Sequence, residues 1–599
     1  MSSSLKDMRF LIHEVFDFAG HYQALAASNP GKFDDTLDGA FIDAVLEEGA
    51  RFSEQELAPI NRSGDEHGCR LEAGEVKTPD GFKEAYATYI ELGWAGLIGD
   101  PVYGGQGLPE SLSLFLEDLM CCANMAWTMY PGLSRGAINA LDAHGSDQQK
   151  AAFLPKLLTG AWTGTMCLTE PHAGSDVGLA KTRAEAGPDG TYAITGTKIF
   201  ISAGEHDMAE NIVHLVLART PDAPAGTKGI SMFVVPKIDL DGSRNGVTCG
   251  SIENKMGIHG NATCILHFDE ATGYLVGEEN QGMRYMFTMM NAARLVVGLQ
   301  GVCLAQAALR SSMAYARERL QMRALKGPVA PEKPADPIIV HPDVRRMLLT
   351  QRAIAEGGRA LIYFTGQTAD RFLHGPAEDR ERAGELLDFL TPIVKGMLTE
   401  LGFESVNEAV QVYGGHGFIR ETGVEQHVRD ARITLIYEGT TQIQALDLLG
   451  RKILMTQGKG LLIFLEEVGR VVETLREPLP ELADALAETA DEWGRLTLEL
   501  GTSAQQDLDV LGAAAVDYLF YSGYATLAYC WARVAEVAWK AQQRHRRDSA
   551  EDDPYLAGKL ATARFYFSRL LPRKGFHKQA IEAGPDAPVT VSDDALSAL

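Results

Sequence analysis

Cysteine is scarce in this sequence. Only 8 of its 599 residues are cysteines, and no two of them form a CxxC pair. A small protein held together by disulfides is therefore excluded, and nothing implies an oxidising compartment. Cys121 and Cys122 are adjacent and lie among apolar residues, which predicts buried thiols rather than a redox pair.

Long apolar segments are also missing from the sequence. No uninterrupted run reaches the ~18 residues that a membrane span needs. The nearest candidate, residues 518–531, is shorter and is followed by Arg533, so we predict a buried helix there. The first residues include Asp7, Glu14 and Asp17, which do not fit the apolar core of a signal peptide. We therefore expect a cytoplasmic protein.

Basic residues are in the minority. The 55 lysines and arginines are outnumbered by 80 aspartates and glutamates, which gives a net charge of −25. Such a charge repels nucleic-acid backbones and anionic membrane surfaces. A basic cluster at 540–547 is followed by acidic residues and predicts a solvated helix end. A strand-linked GxGxxG, a P-loop, HExxH and GxSxG are all absent.

The sequence contains four segments that differ in the spacing of their apolar residues and in their turn residues. Residues 1–160 predict an N-terminal helical domain, because apolar residues recur at helical spacing. Residues 161–282 contain short β-rich runs divided by turn residues, which predicts an antiparallel barrel or sandwich. Residues 283–455 predict a helical bundle interrupted by a proline-rich loop at 327–342, and residues 456–599 predict a helical extension. The expected fold class is α+β.

Two stretches carry candidate chemistry. Residues 167–178 read CLTEPHAGSDVG, and the hydroxyls of Thr169 and Ser175 suit an anion or a polar ring, although an ordinary Asx or Ser turn uses the same residues. Residues 437–444 read YEGTTQIQ. Desolvation of Glu438 in a tight apolar turn would make it a base near neutral pH, whereas Thr440 or Thr441 could simply cap the following helix.

Together with four further segments, these stretches resemble the acyl-CoA dehydrogenase family of flavoproteins. The further segments are VYGGQGLP (102–109), ITGTKIFISAG (194–204), YARERLQ (315–321) and QVYGGHGF (411–418). All occur in family order over residues 40–455. The proline-rich loop, KMGIHGNATC (255–264) and the extension are similar to the branch that contains 3-(methylthio)propanoyl-CoA dehydrogenase, whose relatives take medium or long straight-chain acyl-CoA.

The resemblance implies a non-covalent FAD. Residues in several segments would bind it: Met166, Leu168 and Thr169 beside the ring; Phe200 and Ser202 on its other side; Ser175 at the pyrophosphate; Arg319, Gln411 and Gly415 at the pyrophosphate of a neighbouring subunit; and Thr440 and Gln442 after the base. A cofactor shared in this way makes a homodimer the smallest assembly.

The resemblance also implies the reaction. Glu438 matches the catalytic base, and Ala293 occupies the position from which some relatives supply the base instead. Glu438 would take the α-proton of the acyl-CoA while a β-hydride moves to flavin N5. The product is a trans-2-enoyl-CoA, and the electrons then pass to electron-transfer flavoprotein. The implied substrate contacts are Ser175, Asn291, Arg294 and Gly439.

Two other functions stay open. An acyl-CoA oxidase shares the fold and the extended C-terminus but gives its electrons to oxygen. A DNA-binding relative that has kept its flavin would need a basic C-terminal surface, and residues 540–547 are the only basic cluster in that region.

Overall fold

We describe the protein from a computed structural model, which describes residues 2–33, 36–187, 189–549 and 552–598. The chain forms two compact units. The first contains Met1–Asp43 and Val297–Leu599, and the second contains Ala44–Val296. The sheet and the helices that precede it from residue 44 onwards therefore lie in the second unit, whereas the first 43 residues, most of the bundle and the extension lie in the first.

The N-terminal part is helical, as its apolar spacing predicts. Asn124 caps one of its helices by accepting from the Trp127 N–H at 3.1 Å, and Ser146 and Gln149 form a capping box at the start of the next. A small hairpin, which the sequence did not predict, pairs β1 (Arg70–Glu72) with β2 (Glu75–Lys77). The helices are α1 (Ser2–Arg9), α2 (Phe18–Ser28), α3 (Gly39–Phe52), α4 (Ala58–His67), α5 (Phe82–Glu91), α6 (Glu110–Ala123), α7 (Met125–His144) and α8 (Asp147–Leu158).

A seven-stranded sheet follows in the order β3-β6-β7-β9-β5-β4, with β8 paired to β9. The pairings are antiparallel except that of β3 with β6, which is parallel. Every residue of β6 and β7 is buried, which explains their continuous apolar runs. The strands are β3 (Trp162–Cys167), β4 (Arg183–Ala186), β5 (Tyr192–Ser202), β6 (Asn211–Ala218), β7 (Ser231–Pro236), β8 (Val247–Ile252) and β9 (Thr263–Leu275).

Long helices form the bundle. The proline-rich segment is a loop, as predicted, with a short 3-10 turn at Ile338–Val340. A 3-10 segment at Gly414–Phe418 ends α11, and a π-helical segment at Asp447–Met455 continues α13. The helices are α9 (Gly282–Glu318), α10 (Pro342–His374), α11 (Ala377–Tyr413), α12 (Val424–Thr434) and α13 (Thr441–Leu446).

The extension is helical throughout its main part. Residues 518–531 lie in α16 and most of them are buried, which confirms the predicted core helix. The helices are α14 (Lys459–Leu475), α15 (Pro480–Gln506), α16 (Asp509–Asp548), α17 (Pro554–Phe565), α18 (Lys574–Glu582), α19 (Asp586–Val589) and α20 (Asp593–Ser597).

One helix in the described part of the chain, α9, is long and apolar enough to cross a membrane by length and composition. The prediction that residues 518–531 are the nearest such candidate is therefore wrong. Scattered polar residues hide the apolar character of α9 from a search for uninterrupted runs. Most of its apolar window is buried inside the protein.

Candidate active site

The predicted flavin-ring residues of the second unit meet where β3 and β5 end. Met166 lies on β3, Leu168 and Thr169 follow it, and Phe200 and Ser202 are the last residues of β5. The Ile199 N–H donates to the Thr169 carbonyl at 2.9 Å, so the segment after β3 is bound to β5. The structure therefore places the segment that contains Leu168 and Thr169 beside the end of β5, the strand that contains Phe200 and Ser202.

Phe200 has an unusual conformation. Its φ is +58°, and it lies where the pairing of β5 with β9 shifts register between Lys198 and Ile201. A β-bulge of this kind redirects a side chain, and here 59% of Phe200 is exposed. The result is an accessible aromatic face, on which a planar ring can stack.

A buried ion pair holds the same segment. Lys198 Nζ donates to the Leu168 carbonyl at 3.0 Å and to Glu170 Oε1 at 2.9 Å. Glu170 also accepts from the Lys181 N–H at 2.7 Å and from the Thr182 hydroxyl at 2.6 Å. Burial opposes the charge of Glu170, but Lys198, Thr182 and Lys181 outweigh it and lower its pKa to about 2. Glu170 is therefore a fixed anion that organises the loop, and not a proton acceptor.

Ser175 lies on the exposed part of this loop. The next residue, Asp176, accepts from the Gly178 N–H at 3.0 Å, so the simpler Asx-turn interpretation of the motif is correct for this turn. The turn leaves the Ser175 hydroxyl accessible, and the two interpretations are compatible. Arg219 anchors the end of the loop through the Ala180 carbonyl at 2.8 Å.

The two predicted substrate residues on α9 differ in burial. Asn291 is exposed, whereas Arg294 is only 4% exposed and lies 5.9 Å from the ring centroid of Phe287. An arginine is rarely buried to this extent unless its charge is paired. Ala293 is partly buried between them and offers no group that could accept a proton.

The predicted base lies in a tight turn of the first unit. Glu438 has φ +56° and Gly439 has φ +87°, so two successive residues adopt the left-handed conformation. Gln444 Nε2 donates to the Glu438 carbonyl at 3.1 Å, and Lys395 Nζ donates to the Gly439 carbonyl at 2.6 Å. Glu438 is partly buried. Hydrogen bonds to its own carbonyl and to the Gly439 carbonyl fix the backbone of the turn.

The residues around this turn are also fixed. The Tyr437 hydroxyl donates to Gln300 Oε1, and the Thr441 hydroxyl donates to Glu400 Oε1 at 2.6 Å. Thr440 is the N-cap of α13, because its side chain accepts from the Ile443 N–H at 3.4 Å. The capping interpretation of the motif is therefore correct for Thr440, and it places Glu438 just before the helix. Gln442 is exposed on the first turn of α13.

The predicted pyrophosphate residues of the first unit lie near the adjoining ends of α9 and α11. One turn before Arg319, the Tyr315 ring stacks on Tyr413 with centroids 4.1 Å apart. The Tyr315 hydroxyl also lies 2.8 Å from His416 Nδ1. Arg319, Gln411 and Gly415 are all exposed, and a Cβ at Gly415 would meet nothing within 4 Å. This is an open surface that includes the guanidinium of Arg319.

Four residues that position these segments are not predicted from the sequence. They are Glu170 and Lys198 in the second unit, and Lys395 and Gln444 in the first. Lys395 had a detectable signal, since a lysine inside the apolar run TPIVKGML is unusual for a buried helix. Its target, the Gly439 carbonyl, is 44 residues away and only the folded chain identifies it.

Four family models match the chain in succession. They are described as the N-terminal domain of acyl-CoA dehydrogenase at residues 42–161, its middle domain at 165–271, its C-terminal domain at 280–454, and an acetyl-CoA dehydrogenase C-terminal-like domain at 464–592. The matches cover the helical, β and helical segments and also the extension.

Two curated relatives match almost the whole chain. A 3-methylmercaptopropionyl-CoA dehydrogenase of Ruegeria pomeroyi is 43% identical over 98% of this chain and 99% of its own length. A broad-specificity linear acyl-CoA dehydrogenase of Mycobacterium tuberculosis is 34% identical over 97% of this chain and 98% of its own length. Both similarities include the extension.

Solved structures share the fold. An acyl-CoA dehydrogenase of Bacillus anthracis complexed with FAD superposes with a TM-score of 0.73 at 22% identity, covering 94% of this chain and 90% of its own. The ACDH-11 protein of Caenorhabditis elegans in complex with C11-CoA gives the same TM-score and coverage at 19% identity.

Proposed function

This chain belongs to the acyl-CoA dehydrogenase family, and on that premise we propose that it is an FAD-dependent enzyme that converts an acyl-CoA thioester into its trans-2-enoyl-CoA. The observation that carries the proposal is the position of Glu438. A carboxylate in a doubly anchored, left-handed turn has a fixed location, which a base needs if it is to reach one particular hydrogen.

Glu438 is the proposed base. It takes the proton from the α-carbon, and the electrons of that C–H bond form the new double bond. FAD, when bound, supplies the acceptor for the hydride that leaves the β-carbon. The backbone N–H of Glu438 is the proposed donor to the thioester oxygen, where negative charge develops as the proton leaves.

The residues present fit FAD. The exposed face of Phe200 suits a flavin ring. The two segments joined by the bond from the Ile199 N–H to the Thr169 carbonyl also carry the hydroxyls of Thr169 and Ser202. In the first unit, the exposed Arg319 and the open position of Gly415 suit the pyrophosphate of an FAD bound by a neighbouring subunit. Met166, Leu168, Ser175, Gln411, Thr440 and Gln442 are the remaining proposed FAD contacts.

The proposed substrate is 3-(methylthio)propanoyl-CoA. The 43% identical relative is a 3-methylmercaptopropionyl-CoA dehydrogenase. 3-Methylmercaptopropionyl-CoA is another name for 3-(methylthio)propanoyl-CoA. A thioether is nearly the size of a methylene, so straight-chain acyl-CoAs of similar length are the natural competitors. Arg294 and Asn291 are the proposed contacts for the CoA or acyl portion, with Ser175 and Gly439 as further contacts.

The proposed setting follows the family. We assign electron-transfer flavoprotein as the acceptor, a homodimer or larger assembly, and a cytoplasmic location. Hydrogen peroxide formed without an added acceptor would show an oxidase instead. Tight, salt-sensitive binding of DNA in a gel-shift assay would favour the nucleic-acid-binding alternative.

The test compares Glu438→Gln with Glu332→Gln, a control at an exposed carboxylate in the proline-rich loop. Turnover is followed with a dye acceptor across acyl-CoAs of different length, including 3-(methylthio)propanoyl-CoA. We expect Glu438→Gln to keep its yellow FAD and lose turnover by a factor of at least ~10³, in the range of general-base removal. Turnover by Glu438→Gln close to that of Glu332→Gln would overturn the proposal.

A further inference from the structure

The turn that contains Glu438 has a backbone conformation that needs support from other parts of the chain. Glu438 is a non-glycine residue at φ +56°, followed directly by Gly439 at φ +87°. Residues with a Cβ avoid this region, and they stay there only when the surroundings impose it. The groups that impose it therefore determine where the carboxylate lies.

Two buried side chains impose the turn. Lys395, on α11, donates from Nζ to the Gly439 carbonyl at 2.6 Å. Gln444, on α13, donates from Nε2 to the Glu438 carbonyl at 3.1 Å. Both side chains belong to fully buried residues. The two successive carbonyls are thus drawn towards donors from two different helices.

The direction of the carbonyls determines the direction of the neighbouring N–H groups. A trans peptide is planar, so its N–H points opposite to its carbonyl. When Gln444 and Lys395 bind the carbonyls of Glu438 and Gly439, the N–H groups of Gly439 and Thr440 point away from these donors. Thr440 then caps α13 through its side chain. The lysine is therefore coupled both to the turn and to the start of the next helix.

Lys395 lies in the packed core, so its hydrogen bond to the Gly439 carbonyl is held rigidly. Val394 and Gly396 on either side of it are buried, and a Cβ at Gly396 would meet Leu519 Cδ2 at 2.6 Å. The packing around the lysine leaves little room for its backbone to shift. An anchor on a packed helix fixes a partner more accurately than an anchor on a loop.

From this geometry we infer that Lys395 is a positioning residue for the base: through the Gly439 carbonyl it sets the distance from the Glu438 carboxylate to the α-hydrogen of the substrate. This inference rests on the proposed function. In this inference Lys395 acts through the backbone of the turn, and the proton is taken by Glu438. A misplacement of about 1 Å at a reacting group lowers a rate by about 100-fold, so loss of the anchor has a measurable kinetic effect.

The experiment uses the full-length, FAD-loaded protein and the change Lys395→Met, which keeps the length of the side chain and removes the donor. Flavin reduction is measured anaerobically in single turnovers with 3-(methylthio)propanoyl-CoA or butyryl-CoA. The substrate is supplied both unlabelled and with deuterium at the α-carbon. We expect the reduction rate to fall by about 100-fold, the α-deuterium isotope effect to increase, and the substrate concentration for half-maximal rate to change little.

The matched control is Lys559→Met, the same change at another fully buried lysine of the same unit. Lys559 pairs with Asp7 and with Glu356, whose Oε2 lies 2.8 Å from its Nζ. We expect this variant to be destabilised and yet to reduce its flavin at the wild-type rate. A rate loss in both variants would show a general effect of losing a buried lysine, and would overturn the inference.

Further outcomes separate the inference from the proposed function. A wild-type rate and isotope effect in Lys395→Met, together with an inactive Glu438→Gln, would overturn the inference alone. An active Glu438→Gln would overturn the proposed function. If Lys395→Met does not fold, Lys395→Gln replaces it, since its shorter amide keeps a polar side chain but does not reach as far. A wild-type rate in that variant would equally overturn the inference.

Discussion

At the scale of single residues, two buried lysines perform the same task in the two units. Lys198 donates to the Leu168 carbonyl and Lys395 donates to the Gly439 carbonyl. Each target belongs to a segment proposed to contact the flavin or the substrate. A lysine donor on a long, packed side chain can anchor an irregular backbone from a neighbouring strand or helix. Regular secondary structure cannot supply that anchor, because turns have no repeating hydrogen bonds.

The charge of Glu170 gives a pH-dependent prediction. Its pKa is lowered to about 2 from 4.5, so its stabilising effect is fully present above pH 4.5 and is lost as the pH falls towards 2. Glu170→Gln, which breaks the buried pair with Lys198, should lower the free energy of unfolding at pH 7 by about 3 kcal/mol. Urea unfolding between pH 7 and pH 3 should show this difference shrinking in acid.

The control for Glu170→Gln is Glu185→Gln, at an exposed carboxylate on β4. This change should alter the free energy of unfolding by less than about 0.5 kcal/mol at every pH. A loss in Glu170→Gln that stays constant from pH 7 to pH 3 would contradict the assigned role of the charge.

The conformation of Gly439 gives a second prediction. A Cβ there would lie 2.5 Å from Gln444 Nε2, in addition to the strain of φ +87°. Gly458→Ala is the matched control, because Gly458 has φ +70° and nothing within 4 Å of its Cβ position. Both changes should cost about 1–2 kcal/mol in backbone strain. Only Gly439→Ala should also slow flavin reduction, by about 100-fold; equal rates in the two variants would contradict this.

The sequence could identify the reacting residue but not its supports. The motif YEGTTQIQ and its family resemblance point directly to Glu438, because the motif is contiguous. The conformation of Glu438 depends on Lys395, which is 43 positions earlier in the chain. Similarly, nothing local shows that Phe200 is turned outward by a bulge between β5 and β9. Contacts of this range are set by tertiary structure, and single-sequence patterns do not encode them.

At the scale of elements, one carboxylate organises the proline-rich loop. Asp336 is fully buried and accepts from the N–H groups of Ala324 at 2.9 Å, Ala330 at 2.8 Å and Val329 at 3.0 Å. Arg323 Nη1 lies 3.1 Å from the same carboxylate. These donors, led by the Ala324 and Ala330 N–H groups, hold the pKa of Asp336 well below its ordinary value. Asp336 thus fixes residues 323–336, which contain no helix or strand.

Asp336→Ala should therefore open this loop while the rest of the unit stays folded. The change leaves three backbone N–H groups without their acceptor. Limited proteolysis with trypsin should cleave after Arg323 and Lys326 at least ~10-fold faster, since cleavage at such sites follows local opening. The control is Asp343→Ala, at an exposed carboxylate on the first turn of α10. Equal cleavage rates in the two variants would contradict the role of Asp336.

The elements themselves were largely predictable. Apolar spacing identified the helical segments, and turn residues identified the β-rich segment, because both signals are local. The pairing of the strands was not predictable. For example, β3 pairs in parallel with β6, and no sequence pattern indicates this pairing. The apolar character of α9 also escaped the search, because its polar residues are spread along 37 positions.

At the scale of the molecule, the extension is integrated with the fold of the first unit. Asp7 on α1, Glu356 and Arg359 on α10, and Lys559 on α17 form one buried charge network. Burial disfavours the charge of Asp7, but Lys559 and Arg359 hold its pKa below the ordinary value. Residues more than 550 positions apart in the chain therefore depend on each other for their charge balance.

Lys559→Met tests this integration. Lys559 pairs with the carboxylates of both Asp7 and Glu356, and the change removes this cationic partner from each of them. Breaking a buried ion pair in this way costs about 3–5 kcal/mol, so thermal unfolding should move to a clearly lower temperature. Lys540→Met is the control: its exposed pair with Glu536 on α16 should contribute less than about 1 kcal/mol.

The same variant distinguishes an integrated extension from an independent one. If α17 and the N-terminal helix unfold together with the bundle, calorimetry of Lys559→Met should show the whole transition of the first unit shifted, and hydrogen exchange should increase in α1, α10 and α17 alike. An independent extension would instead lose protection in α17 alone, with α10 unchanged. That second pattern would contradict the shared network, because Glu356 and Arg359 of α10 contact its other members directly.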